Sequence, residues 1–226
     1  MRVLPIQAKL QIYYSCCGKT TCAGCDHRHE EKTNCAFCRT PVPRSDNEIL
    51  ARNRKRAELN DPDALVNLAM HYGRGELGLR VDEAKCIELL RKAVALGFPR
   101  GHYQLGKLYG NGEVGLQRDA AKAKMHWEKA AEGGHLLARH NLGSAEWDNG
   151  NIIAALRHWK LSASGGFKLS VTCLLTFFER GMLHHFFLAE VMPVFYRSRA
   201  EMKSDDRDKY IAHLKVTGEY REEYEY

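Results

Sequence analysis

The chain has 226 residues, of which 44% are hydrophobic, and a formal net charge of +6. This length is enough for one or two small globular units, and the absence of any run of 18 apolar residues predicts no membrane span. Residues 1–60 carry +5 of the net charge, so the basic excess lies at the front of the chain. Met1–Ser15 lacks the basic and apolar segments of a secretory signal, so we expect a cytoplasmic or nuclear protein and not a secreted one.

Cysteines are concentrated near the start of the chain, where six of the eight lie between Cys16 and Cys38. In a reducing compartment such clustering favours metal binding over disulfides. Two C-x-x-C pairs are present, Cys22 with Cys25 and Cys35 with Cys38. Thiolates three positions apart occupy two corners of a zinc tetrahedron, so this segment predicts bound zinc.

The cysteine segment resembles the second part of a RING finger, a family that binds two zinc ions through four successive ligand pairs in a cross-brace. The resemblance implies that Cys22 and Cys25 form the third pair, that Cys35 and Cys38 form the fourth, and that the adjacent Cys16 and Cys17 stand at the second. It also places Arg39 and Pro41 where RING ligases contact the ubiquitin-conjugating enzyme. The first C-x-x-C pair has no counterpart here, because no cysteine precedes Cys16.

An incomplete cross-brace predicts one tightly held zinc and a second that is held weakly. In the first site, Cys16 or Cys17 joins Cys35 and Cys38, and adjacent cysteines are expected to share one metal only with strain. In the second site, Cys22 and Cys25 need His27 or His29 as further ligands. These two histidines are equally well interpreted as exposed residues of a polar loop. Because zinc supplies folding energy, residues 1–44 are expected to lose order without metal while the rest stays folded.

A linker helix is predicted after the cysteines. Ser45 and Glu48 form a capping-box pattern, and the helix should extend to about Leu59. It contains the basic run Arg52–Arg56. A nuclear-import signal or a nucleic-acid contact is an alternative for this run. Because the run has no interleaved aromatic residues, we prefer the solvated face of a helix and do not expect nucleic acid as a partner.

The centre of the chain contains one sequence unit in two consecutive copies. Ala64–Pro99 and Gly101–Leu136 are identical at 13 of 36 positions when offset by 37 residues. Each copy has a helical apolar stripe, three glycines, an aspartate at an N-cap position and a second stripe. One helix pair cannot bury its own apolar face, so a fixed period of this size predicts stacked repeats.

Both copies also contain G-x-G-x-x-G, at Gly73–Gly78 and Gly110–Gly115. A dinucleotide site needs a strand before this motif and a βαβ unit around it. Here the motif follows a helical stripe and repeats with the unit, so we interpret it as an inter-helix turn.

The repeat motif resembles the Sel-one-like repeat, a relative of the tetratricopeptide repeat, and the second copy carries it at Leu105, Tyr109, Gly112, Asp119, Lys122, Ala123, Trp127, Lys129, Ala130, Ala131 and Gly134. The resemblance implies an all-α, right-handed α-solenoid whose members hold other proteins together. We therefore expect a zinc-finger-like module at residues 1–44, a linker helix at 45–60, a solenoid at 61–204 and a tail at 205–226. Within the solenoid, the repeats are expected at about 63–99, 100–136 and 137–168, with a degenerate cap at 169–204.

Three details of the later repeats are specific enough to check. Asn151 is expected to cap a helix as Asp119 does. Trp127 and Trp159 are equivalent within the repeat and are expected to lie in the core between repeats. Pro193 is expected to kink or break the second helix of the cap.

The function that this pattern favours is a non-catalytic scaffold or adaptor. Partner proteins would bind the concave face of the solenoid through Asn67, His71, Gln104 and Asn141 on the first helices. These residues are equally consistent with solvated surface. The alternative is a RING-type ubiquitin ligase whose repeats recruit substrate, with a ubiquitin-conjugating enzyme as a further partner. No small-molecule substrate is expected.

Overall fold

The computed structural model of the protein describes residues 11–22, 26, 33–202 and 205–217. Within these ranges the chain forms one β-hairpin followed by a series of helices. The hairpin consists of β1 (Gln11–Tyr14) and β2 (Lys19–Cys22). The helices are α1 (Asp46–Glu58), α2 (Pro62–Arg74), α3 (Glu83–Ala95), α4 (Pro99–Asn111), α5 (Ala120–Glu132), α6 (Leu136–Asp148), α7 (Ile152–Ser164), α8 (Lys168–Glu179), α9 (His185–Met202) and α10 (Asp205–Thr217). The predicted helical class is confirmed for the described residues.

The chain divides into two compact units. The first unit contains Tyr13–Lys19 and Lys32–Ala138, and the second contains Arg139–Tyr226 with two short segments that precede Lys32. In the first unit α1 packs on α2, and the pairs α2–α3 and α4–α5 contact each other through α3 and α4. In the second unit α7, α8 and α9 pack on one another.

The duplicated motif forms the turn inside each helix pair of the first unit. Gly75 and Gly112 end α2 and α4 in the left-handed conformation, with φ of 67° and 70°. Asp82 and Asp119 then begin α3 and α5, because their side chains accept hydrogen bonds from the backbone N–H of Lys85 and Lys122. The G-x-G-x-x-G motif is thus an inter-helix turn, as predicted.

The core of the first unit is built from α1 to α4. Its buried members are Leu50, Leu65, Val66, Leu68, Ala69, Cys86, Leu89, Leu90, Ala93, Leu105 and Leu108. Leu105 is 2% exposed and Ala130 is fully buried, so these two repeat-equivalent positions face inward as the stripe predicts. Trp127 is half-buried and packs against Gly106 and Gly110 of α4, the first helix of its own pair, so its predicted place between repeats stays a prediction.

The core of the second unit is aromatic. Trp159 and Phe177 meet edge-on, and Trp147 also contacts Phe177. Trp159 is 3% exposed and packs both on Gly143 of α6 in its own pair and on Phe177 of α8 in the next, so its predicted place in the core between repeats is confirmed. In α10, Ile211 and Leu214 are buried, as their spacing indicates.

Three local predictions are corrected by the structure. Asn151 precedes α7 but its side chain accepts no capping hydrogen bond, and its Nδ2 donates to Glu146 Oε2 at 2.7 Å. Pro193 does not break α9, since Val191 and Phe195 on either side of it are buried in one core. In the capping box, Ser45 Oγ accepts from Glu48 N–H, but the Glu48 carboxylate accepts from Arg44 N–H and not from Ser45.

Candidate metal centre

The turn of the hairpin carries Cys16 and Cys17. Tyr14 O accepts hydrogen bonds from the backbone N–H of Cys17 at 3.2 Å and of Gly18 at 2.8 Å. Gly18 has φ of 71°, a left-handed conformation that favours glycine. Consecutive side chains in a tight turn do not alternate between two faces as they do in a strand. Both cysteines can therefore point toward the same place.

A second loop, residues 33–42, carries Cys35 and Cys38. Its ends are closed by an antiparallel bridge between Asn34 and Pro41 and by a hydrogen bond from Cys35 N–H to Thr40 O at 2.7 Å. Arg39 adopts a left-handed φ of 60°, which turns the chain back after Cys38. The backbone N–H of Phe37 donates to Cys35 Sγ at 3.4 Å. This N–H to sulfur contact two residues on is the geometry expected when a C-x-x-C pair wraps around a metal.

The two loops bring four sulfur atoms together. The Sγ atoms of Cys16, Cys17, Cys35 and Cys38 all lie within 4.8 Å of one another. Cys17 Sγ is 3.8 Å from Cys35 Sγ, and Cys16 Sγ is 3.4 Å from Cys38 Sγ. A zinc ion bound to thiolates at about 2.3 Å requires sulfurs about 3.8 Å apart at the corners of its tetrahedron. This cluster has the donor set and the dimensions to hold one metal ion.

The environment of the four thiols is uneven. Cys35 is 1% exposed, Cys16 and Cys17 are half-buried, and Cys38 is exposed. Burial is the largest cause that raises the pKa of Cys16, followed by its hydrogen bonds to Cys38 and Cys35. Burial also raises the pKa of Cys17. The Thr40 hydroxyl and backbone N–H lower the pKa of the Cys38 thiol to about 6. A bound cation would offset the cost of the buried negative charge, since metal binding deprotonates thiols outright.

The cluster differs from the expected site at one position. We expected Cys16 or Cys17 as a third ligand, whereas both of these residues approach Cys35 and Cys38. The remaining proposed ligands are not part of what the structure describes, since Cys25, His27 and His29 lie outside the described residues. Cys22 ends β2, and its side chain is likewise outside the description.

The four predicted partner-binding residues lie on first helices and are all half-buried. Asn67 on α2 has Oδ1 2.8 Å from Arg100 Nη2, and His71 Nδ1 lies 2.8 Å from Glu76 Oε2. Gln104 is on α4 in the first unit, whereas Asn141 is on α6 in the second unit. Two of the four are therefore held by neighbouring side chains and are not freely solvated.

The basic run on α1 is mostly occupied by contacts within the protein, which the sequence did not indicate. Arg52 Nη1 donates to Pro41 O at 2.7 Å, Arg54 Nη2 to Tyr72 Oη at 3.3 Å, and Arg56 Nε to Asp61 Oδ2 at 3.0 Å. The preferred interpretation as a solvated helix face is therefore wrong for Arg52 and Arg56, which are half-buried, whereas Arg54 is exposed as expected. Among the described residues, no helix is long and apolar enough to cross a membrane.

Comparison with known families identifies the duplicated segment. The model of the Sel1 repeat matches residues 62–98 and 99–135, with the same 37-residue period as the duplication. These matches begin after the cysteine cluster and end before the second unit. No curated protein matches the chain.

Two solved structures have similar folds. A Sel1 repeat protein from Oxalobacter formigenes is 25% identical with a TM-score of 0.51, over 57% of this chain and 98% of that one. The protein c5321, a protective antigen of uropathogenic Escherichia coli with an SLR fold, is 22% identical with a TM-score of 0.57, over 80% of this chain and 39% of that one. This chain thus spans well under half the length of c5321. The comparisons support a helical-repeat fold in which residues 62–135 are similar to two Sel1 repeats.

Proposed function

We propose that this protein, with its two Sel1 repeats, is a non-catalytic scaffold that binds partner proteins on the concave face that the first helices α2 and α4 form in the first unit. The observation that carries the proposal is the repeat itself, since repeat proteins use extended surfaces of this kind for binding. The proposed contact residues are Asn67, His71 and Gln104 in the first unit, and Asn141 is proposed as a separate contact residue in the second unit. Asn67 and His71 are already oriented by Arg100 and Glu76, which lowers the entropy cost of using them in binding.

The test is capture of partners from native extract with matched variants of the full chain. Gln104 is half-buried on the first helix α4, whereas Glu128 is exposed on the second helix α5. We expect Gln104→Ala to reduce the recovery of specific partners and Glu128→Ala to leave recovery unchanged. Equal recovery with both variants, or a loss with Glu128→Ala alone, would contradict binding on the first-helix row.

We further propose that Cys16, Cys17, Cys35 and Cys38 bind one zinc ion. Four sulfur donors in tetrahedral reach favour zinc or an iron–sulfur centre over magnesium or calcium. With four thiolates and one Zn²⁺ the site would carry a formal charge of −2. A weaker second zinc at Cys22 and Cys25 with His27 or His29 stays part of this proposal. Metal analysis after dialysis distinguishes zinc from iron and counts the ions.

A RING-type ubiquitin ligase is the second candidate. It is favoured by one observation, the convergence of Cys16 and Cys17 with Cys35 and Cys38, which is how the second and fourth ligand pairs of a cross-brace meet. Phe37, which is 42% exposed, and the exposed Arg39 and Pro41 would then offer a surface to a conjugating enzyme. The test is a ubiquitin-transfer assay on the full chain. Formation of ubiquitin chains by the wild type that is lost in Cys35→Ser would support the ligase. A zinc-bound protein that transfers no ubiquitin would support the scaffold instead.

A further inference from the structure

Both cysteine-bearing loops contact the same face of α1. Arg52 and Arg56 are four residues apart and therefore lie on one side of this helix. Their side chains are 23% and 27% exposed, so each is largely covered by what it contacts. All of these residues belong to the first unit, together with the two Sel1 repeats.

Arg52 holds the loop that carries Cys35 and Cys38. Its Nη1 donates to Pro41 O at 2.7 Å. Pro41 is fixed relative to the cysteines, because it pairs with Asn34 and follows Thr40, whose carbonyl accepts from Cys35 N–H. The charge-assisted bond from a guanidinium to a carbonyl is directional and is stronger than a neutral one. Arg52 thus sets the position of this half of the cluster against the helix.

Arg56 holds the turn that carries Cys16 and Cys17. It pairs with Asp61 through both Nε and Nη2, and a side chain on Gly18 would overlap this pair. The Tyr13 ring end faces the same two groups, where burial and then the Asp61 carboxylate raise its pKa. Asp61 in turn begins α2, because its Oδ1 accepts from the backbone N–H of Asp63 and Ala64. The turn therefore packs on a pair that also starts the first repeat.

We propose that α1 is a docking platform whose Arg52 and Arg56 position the two halves of the four-cysteine site. This inference rests on the proposed metal site and adds that the site is not independent of the repeats. The arginines are positioning residues, since each acts on the loops and neither contacts a sulfur. Metal binding and the packing of α1 on α2 then stabilise each other, because coupling between two sites is reciprocal. Our expectation that residues 1–44 lose order alone is replaced by this coupling.

The first test measures metal affinity with Co²⁺ as the probe, because a tetrahedral four-thiolate Co²⁺ site has a distinctive absorption. Full-length wild type is compared with Arg52→Gln, Arg56→Gln and the control Lys55→Gln, since Lys55 is exposed on the same helix. Groups that orient metal ligands typically change affinity about 10- to 100-fold when removed. We expect at least about a 10-fold loss in both arginine variants, with unchanged helical circular dichroism, and no loss in the control.

The outcomes separate the two proposals. If the wild type binds Co²⁺ and all three variants bind equally well, the platform is wrong and the metal site stands. If the wild type gives no four-thiolate spectrum, the metal site itself is wrong and the platform with it.

The second test uses only the wild-type protein, so it does not require any variant to fold. The thermal unfolding of the helical signal is followed in reduced wild type with bound zinc and after removal by a chelator. A ligand that binds only the folded state raises its stability. We expect removal of zinc to lower the midpoint by several degrees, because the site includes the packing of α1. A midpoint that does not change would show that the cysteine loops fold independently and would overturn the platform.

Discussion

Trp127 lies across Gly106, so closely that a Cβ on this glycine would come within 2.5 Å of Trp127 Cδ1. The same relationship joins Trp159 to Gly143 at the same distance in the second unit. In the first repeat the equivalent positions hold Ala69 and Leu90, both fully buried. A larger residue on one helix is thus matched by a smaller one on the other, which keeps the volume of each helix-pair interface nearly constant.

This matching predicts a specific rescue. Gly106→Ala should cost about 1–3 kcal/mol of unfolding free energy, because the added methyl overlaps the indole. Trp127→Leu alone should also destabilise, because it leaves a cavity. The double variant recreates the Ala69–Leu90 pair, so its cost should be at least about 1 kcal/mol less than the sum of the single costs. Denaturant unfolding of all four proteins checks this, and additive costs would mean that the two residues are not coupled.

Leu105 tests the assignment of the buried stripe. At 2% exposure it lies in the core of the first unit, so Leu105→Ala should cost about 2–5 kcal/mol. The control is Leu96→Ala, because Leu96 is 51% exposed after α3 and should cost less than about 0.5 kcal/mol. Similar small costs in both variants would mean that the inward face of the repeat helices is wrongly assigned.

Gly18 tests the packing of the cysteine turn. Gly18 and Gly97 have nearly the same backbone conformation, with φ of 71° and 70°. A side chain on Gly97 would meet open space, whereas one on Gly18 would overlap Arg56 and Asp61. Both alanine variants should lose about 1–2 kcal/mol from left-handed strain. Only Gly18→Ala should also weaken Co²⁺ binding. Unchanged metal affinity in Gly18→Ala would argue against the observed contact with the arginine pair.

His135 makes the stability of the first unit depend on pH. Its Nδ1 lies 3.3 Å from Ala138 N and accepts its hydrogen bond, and its ring stacks on Tyr103. Burial, and then the charge of Arg100, lower the pKa of His135 to about 4. The unfolded chain binds this proton near pH 6.5, so the stabilisation is complete above that pH and is lost as pH falls toward 4.

The comparison that isolates this effect uses His135→Asn, which keeps an acceptor for Ala138 N–H but does not titrate. Between pH 7.5 and 4.5 the wild type should lose about 2.5 kcal/mol more stability than the variant, from the two pKa values. Acid release of metal from the cysteines occurs in both proteins and cancels in the difference. Parallel stability curves would show that His135 is not buried in its neutral form.

The sequence predicted the features that repeat and missed those that do not. The 37-residue period indicated the positions of α2 to α5, because the glycine turns and the aspartate caps of α3 and α5 recur with it. Asn151 failed as a cap although its Oδ1 is the atom that capping requires, and its Nδ2 instead donates to Glu146, five residues before it. Pro193 failed as a helix breaker because tertiary burial on both sides outweighs the loss of one hydrogen bond.

The cysteine site was predicted in part for a related reason. The C-x-x-C spacing of Cys35 and Cys38 has a local geometry that sequence alone conveys. That Cys16 and Cys17 both reach the site depends on the turn at Gly18, and the role of Arg52 depends on a contact to a backbone carbonyl 11 residues away. Contacts to backbone atoms leave no residue pattern, so the platform on α1 could not be predicted from the sequence.

The most direct test of the account is the metal content per chain after dialysis of the reduced protein, measured by elemental analysis for wild type, Cys35→Ser and Cys86→Ser. Cys35 is a proposed ligand, whereas Cys86 is an equally buried cysteine in the helical core. We predict one tightly held zinc per chain in wild type and Cys86→Ser, and none in Cys35→Ser. A wild type without metal, or a Cys35→Ser variant that retains its zinc, would contradict the four-cysteine site.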